Sequence, residues 1–156
     1  MKTVKLVLYA AFAVVLATTL AAAAAPTFKA ALAGTQEVPA VTTTAEGEAA
    51  FELGEYGKEL TFVLTVKDIE NVTAAHIHAG KTGENGGVVV GLFAGPKKDG
   101  KFSGVLAKGA ITDKDLVGAL AGKTIDDLVK LIKDGGAYVN VHTEKNKPGE
   151  IRGQLK

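Results

Sequence analysis

The chain has 156 residues, with 18 basic and 17 acidic side chains, a formal net charge of +1 and no cysteine. That length suits one domain able to bury its own core, and the near-neutral balance leaves no electrostatic footprint for nucleic acid or an anionic lipid surface. The missing cysteine excludes disulfides, thiolate metal sites, a lipid-anchored cysteine and a cysteine nucleophile, so stability must come from burial alone.

The N-terminus begins with Lys2 and Lys5, runs apolar from Leu6 to Leu20, and ends in the small-residue run Ala21–Ala25 with its A-x-A sites. This is the pattern of a secretory signal peptide over residues 1–25. The rival reading is an uncleaved anchor, since about 20 apolar residues can span a bilayer. Pro26 disfavours a cut directly before it, which places the mature start near Ala23–Ala25 and a single folded domain over residues 26–156. Loss of the leader removes two lysines and no acid, leaving 16 basic against 17 acidic residues. The expected location is secreted or periplasmic, with no membrane attachment after cleavage.

Beyond the leader the pattern is mainly β. "FKAALAG" sets Phe28, Ala30 and Leu32 on one face, "GEAAFEL" does the same with Ala49, Phe51 and Leu53, and "ELTFVLTVKDI" with Leu60, Phe62, Leu64 and Val66. "EVPAVTTTAEGE" between the first two reads as an ordered loop. "GVVVGLFAG", "KFSGVLAKGAI", "AYVNVHT" and "GEIRGQL" complete the strands. Short strands at this spacing, divided by Gly, Asn, Asp and Lys turns, predict an antiparallel Ig-like or Greek-key sandwich or barrel. One helical crossover interrupts them at about residues 112–134. Leu128, Leu131 and Ile132 have helical spacing, Thr124 with Asp127 resembles a capping box, and Gly135 suits the stop.

The chain has three histidines, placed in two segments, "AHIH" and "YVNVH". Strand alternation puts His76 and His78 on one face with Ile77 on the other. It likewise separates Val139 and Val141 from Tyr138, Asn140 and His142. With Ile77, Val139 and Val141 inside, all three imidazoles point outward from one sheet, provided the two strands are neighbours. Residues two apart on a strand are roughly 6.5–7 Å apart and neighbouring strands about 4.8 Å, so the rings can converge on one ion. Imidazole suits copper, zinc and nickel, and three nitrogens with an open position is a catalytic type of coordination. The competing reading is three polar residues on the wet face of a sheet.

Other features carry less. Asn140, on the face of His142, is a candidate support for a ligating imidazole. Glu150 is placed to accept from Arg152 along a strand face. Glu84 and Asn85 lie in "TGENGG", which reads first as turn chemistry, and "NVT" at Asn71–Thr73 is an N-glycosylation sequon. No carboxylate pair, phosphate loop or nucleophile elbow is present in the sequence, and Ser103 lies in a strand-like run.

The segments "LAGTQEVPAV", "GEAAFEL", "LTFVLTVKDIENVTAAHIHAGKTGENGGVVVGLF" and "GGAYVNVHTEKNKPGEIRGQL" resemble the CHRD domain, the module named for its occurrence in chordin. The resemblance runs from about Phe28 to Leu155 and implies an exported, β-rich module. A second resemblance is to the copper strands of copper–zinc superoxide dismutases. It rests on the H-x-H pair, the glycine-rich loop, and a later strand with its histidine, then Gly, Arg and a closing strand. It implies His76, His78 and His142 as copper ligands, and loosely matches Arg152 to that family's anion-steering arginine. The bridging histidine, the other zinc histidines and the disulfide of that family are missing here, which argues against efficient dismutation.

Three expectations follow. The first is an exported module binding one copper ion, with zinc as second choice, through His76, His78 and His142, with Asn140 and Arg152 as supports. It would serve in copper storage, delivery or weak redox protection, and lean away from enzymatic activity. The second is a non-catalytic extracellular binding or matrix module whose partner is another extracytoplasmic protein. The third is a superoxide dismutase-like enzyme.

Overall fold

The computed structural model describes residues 27–156; the signal-peptide expectation over residues 1–25, and Pro26, lie outside them. Strands β1 (Thr27–Ala33), β2 (Glu46–Leu53) and β3 (Glu59–Ala79) are followed by β4 (Val88–Phe93) and β5 (Lys98–Thr112). Helix α1 (Ile125–Lys133), β6 (Ala137–Thr143) and β7 (Ile151–Gln154) complete the chain.

All strand pairings are antiparallel. β1, β2, β3, β6 and β7 form a closed barrel, and β4 and β5 extend it by pairing with β3. Closure between β1 and β7 rests on the Ala33–Arg152 pairing and on backbone bonds in both directions between Lys29 and Lys156. Of the expected sandwich or barrel, the sequence forms the barrel, which leaves few open edges to protect. The alternation is as read: Phe28, Ala30, Leu32, Ala49, Phe51, Leu60, Leu64 and Val66 all face the core. Each Phe, Leu and Val among them contributes about 1.5–3 kcal/mol of burial, and each alanine less.

β3 was expected as two strands and is one, 21 residues long. Its first half pairs with β2 and β5, its second with β4 and β6. The change of partner takes place at a bend where Asp68 and Asn71 adopt left-handed φ values of 52° and 53° and the β5 register shifts. Side chains replace the interrupted ladder there. The Asp68 N–H donates to Ser103 Oγ at 2.9 Å, and the Gly100 N–H donates to Asn71 Oδ1 at 2.8 Å. Asp and Asn tolerate this conformation better than other side chains, and the bulge turns the C-terminal half of β3 across the barrel.

The crossover from β5 to β6 contains two 3-10 turns, at Asp113–Asp115 and Gly118–Leu120, before α1. Thr124 and Asp127 form a full capping box, and Ile125, Leu128, Val129 and Ile132 are buried. Gly135 follows the helix at φ 68°, the left-handed stop a glycine accepts without strain.

Candidate metal centre

The β3–β6 register opposes Ala74 to His142, His76 to Asn140 and His78 to Tyr138. Between these pairs Ala75 and Ile77 meet Val141 and Val139, all fully buried. The apolar side of the register therefore fixes the other side, and His76, His78 and His142 share one face as alternation requires. One ring nitrogen from each imidazole lies within 4.8 Å of the other two. Ring centroids are 5.7 Å apart for His76 and His78, 4.9 Å for His76 and His142, and 5.8 Å for His78 and His142.

This face is not the wet sheet surface of the competing reading. All three histidines are partly buried, while Tyr138 and Asn140 are only 2% and 1% exposed. The loop after β1 and the glycine-rich loop after β3 cover it, bringing Glu37, Glu84, Asn85 and Gly86 over the strands. A patterned strand reports which face enters the core, but not whether loops cover the other.

The carbonyl partners assign the imidazole protons. A carbonyl can only accept, so Nδ1–H of His78 donates to Gly86 O at 2.9 Å, and Nδ1–H of His142 donates to Lys147 O at 2.9 Å. Both Nε2 atoms then carry lone pairs. His76 Nδ1 donates to His142 Nε2 at 3.0 Å. His78 Nε2 is buried without a hydrogen-bond partner among the described residues.

Electrostatics keep the cluster neutral. Burial, with the charged forms of His142 and His78 adding repulsion, lowers the His76 pKa to about 4. His78 is lowered by burial, against the Gly86 carbonyl and together with His142 and Arg152. His142 is lowered by burial, with the Lys147 carbonyl opposing. Neutral imidazole is the form that ligates a metal.

A folded pKa below the unfolded value means that the unfolded chain takes up protons first, so folding stability falls as pH drops from about 6.5 towards 4. For His76 the loss, discounted for partial solvent screening, is on the order of 1–2 kcal/mol. Urea midpoints of the metal-free protein between pH 7 and 4.5 should fall, and the fall should be smaller in His76→Gln. Equal slopes in the two proteins would contradict the assignment.

The supports differ from expectation. Asn140 faces the histidine side, but its Nδ2 donates to Glu37 Oε1 at 2.6 Å rather than to an imidazole. Arg152 does not pair with Glu150. Its Nε lies 3.3 Å from Glu37 Oε2, its Nη1 donates to Glu84 O at 3.0 Å, and its Nη2 donates to Asn85 Oδ1. Glu150 precedes β7 and is taken up by the β6–β7 turn, accepting from Thr43, Thr143 and Asn146.

Two residues of the site were missed by sequence reasoning. Glu37 anchors Asn140 and Arg152 from a loop more than 100 positions away in sequence from either. Burial pushes its carboxyl upward, with Arg152, Asn140 and the Val38 N–H pulling back. Its only sequence signal is an acid set directly before the apolar run Val38–Val41. Tyr138 stacks on His78 with centroids 5.0 Å apart and 8° between planes. Its hydroxyl accepts from the Gly86 N–H at 3.1 Å. Alternation places it on the histidine face, but only the register shows that it lies opposite His78.

A family model described as the CHRD domain matches residues 28–155, nearly all of the described chain. No curated protein and no solved structure matches it.

Proposed function

Because the chain belongs to the CHRD-domain family over residues 28–155, we propose that it is an exported CHRD module that binds one copper ion through His76, His78 and His142. The observation that carries this reading is the buried His78 Nε2, which has no partner inside a cluster of three neutral imidazoles. A buried polar atom left without a hydrogen bond costs about 1–3 kcal/mol, and a cation at the cluster would remove that cost. His142 offers Nε2 once it gives up the hydrogen bond that it accepts from His76 Nδ1. His76 offers Nδ1 once its proton moves to Nε2. Zinc–nitrogen bonds of about 2.0–2.1 Å set tetrahedral ligand nitrogens roughly 3.3 Å apart. His76 Nδ1 and His142 Nε2 are already 3.0 Å apart, and all three ligand atoms lie within 4.8 Å of one another, so only a small adjustment is needed. Nitrogen donors bind copper(II) more tightly than its divalent neighbours, which puts copper before zinc.

The role is copper storage, delivery or weak redox protection outside the cytoplasm. Export rests on the leader-like residues 1–25. A second reading, a non-catalytic binding module without metal, is favoured by the His76–His142 hydrogen bond, which satisfies two of the rings with each other. Titration of the mature domain with Cu(II) and Cu(I), beside His76→Ala/His78→Ala/His142→Ala, separates the two. One tight equivalent in the wild type, lost in the triple variant, supports the copper site. Weak binding that is unchanged in the variant supports the module.

A further inference from the structure

The contacts of Arg152 all lead towards one histidine. Its guanidinium carbon lies 4.0 Å from the centroid of the Tyr138 ring, whose plane runs nearly parallel to the His78 imidazole. The Tyr138 ring thus packs against both the guanidinium and the His78 imidazole. Its terminal nitrogens hold Glu84 O and Asn85 Oδ1, the two residues before Gly86. Gly86 in turn receives the His78 Nδ1–H on its carbonyl and gives its own N–H to the Tyr138 hydroxyl. The Asn85 amide also donates to Val38 O at 2.9 Å, beside Glu37, which holds the Nε side of the same guanidinium.

We infer that Arg152 is a positioning residue for His78: through the Tyr138 ring and the Glu84–Gly86 backbone it fixes the plane of that imidazole and keeps its proton on Nδ1. The consequence is a lone pair held on Nε2, towards the other two imidazoles, before any ligand arrives. Arg152 is 5% exposed; its two terminal nitrogens are hydrogen-bonded, its Nε is ion-paired with Glu37 without a hydrogen bond, and its face lies on Tyr138. That placement suits internal support, not capture of an anion from solvent. A lysine could keep the charge opposite Glu37, but it has neither the flat face for Tyr138 nor the fork for two acceptors. His142 is held separately, by Lys147 O from the β6–β7 turn, so it provides an internal control.

The inference rests on the copper reading for its consequence, but its primary test needs no metal. Long-range proton–nitrogen spectra of the 15N-labelled, metal-free domain report which nitrogen of each imidazole is protonated. The wild type should show His78 as the single Nδ1–H tautomer. In Arg152→Lys the His78 signals should become a mixture of tautomers, while His142 keeps Nδ1–H. Should Arg152→Lys fold poorly, Arg152→Met/Glu37→Gln removes both buried charges together and should give the same mixture. Glu37→Gln alone, which keeps the guanidinium, should leave His78 unchanged. A folded Arg152 variant in which His78 remains wholly Nδ1–H overturns the inference. Cu(II) affinity of the variants should fall roughly 10- to 100-fold, the usual effect of losing a partner that orients a ligand. If the tautomer changes but the wild type binds no copper, the positioning role stands and the copper reading falls.

Discussion

Glu37→Ala should lower folding stability by about 3–5 kcal/mol, the usual cost of removing one partner from a buried ion pair. The Glu37 and Arg152 side chains are 4% and 6% exposed, so water cannot replace the lost carboxylate without opening the loop after β1. Asn140 loses the acceptor of its 2.6 Å bond in the same step, and its Oδ1 already lacks a partner among the described residues. For a domain of this size the change corresponds to a fall in Tm of roughly 10 °C or more. Glu37→Gln should cost less, because an amide still accepts from Asn140 and burial already disfavours the carboxylate. Thermal unfolding of the two variants at pH 7 checks the order. A Tm for Glu37→Ala within 2 °C or so of the wild type would mean that the loop is not pinned through this residue.

Gly86→Ala should be comparably damaging, for a steric reason. A Cβ on Gly86 would stand 1.4 Å from Ala79 O and 2.6 Å from its carbonyl carbon. Both are backbone atoms at the end of β3, so no side-chain rotation relieves the clash. The glycine-rich loop must lift, and its carbonyl leaves His78 while its N–H leaves Tyr138. We expect a loss of about 2–4 kcal/mol, in the range of severe backbone and network disruption, and a His78 that no longer holds one tautomer. Gly87→Ala is the matched control. A Cβ there meets nothing within 4 Å, so its effect should stay within about 0.5 kcal/mol. Equal stabilities for the two variants, by urea unfolding, would show that the loop does not close on the strand end as described.

Much of this was legible because period-2 alternation is a strong signal. Ile77, Val139 and Val141 name their own face as apolar, and the pairing of β3 with β6 then puts the three histidines together on the other. Thr124, Asp127 and Gly135 mark the helix ends by local chemistry, and they hold it so. What the sequence concealed depends on long-range closure. Glu37 is an ordinary loop acid until β1 closes on β7 and brings it to Arg152. Glu150 lies nearer to Arg152 in sequence, but the threonines and Asn146 around the β6–β7 turn bind it first. The continuity of β3 was hidden for a related reason. Asp68 and Asn71 turn the chain, but inside a strand and with Ser103 and Gly100 mending the ladder.

The central claim is that three imidazoles of this fold converge on one copper ion. It is tested most directly by pulsed paramagnetic resonance of the domain carrying one equivalent of Cu(II), with histidine alone labelled with 15N. Coupling to three histidine nitrogens is expected, falling to two in each of His76→Ala, His78→Ala and His142→Ala. A copper signal without histidine coupling, or one that survives all three substitutions unchanged, would contradict it.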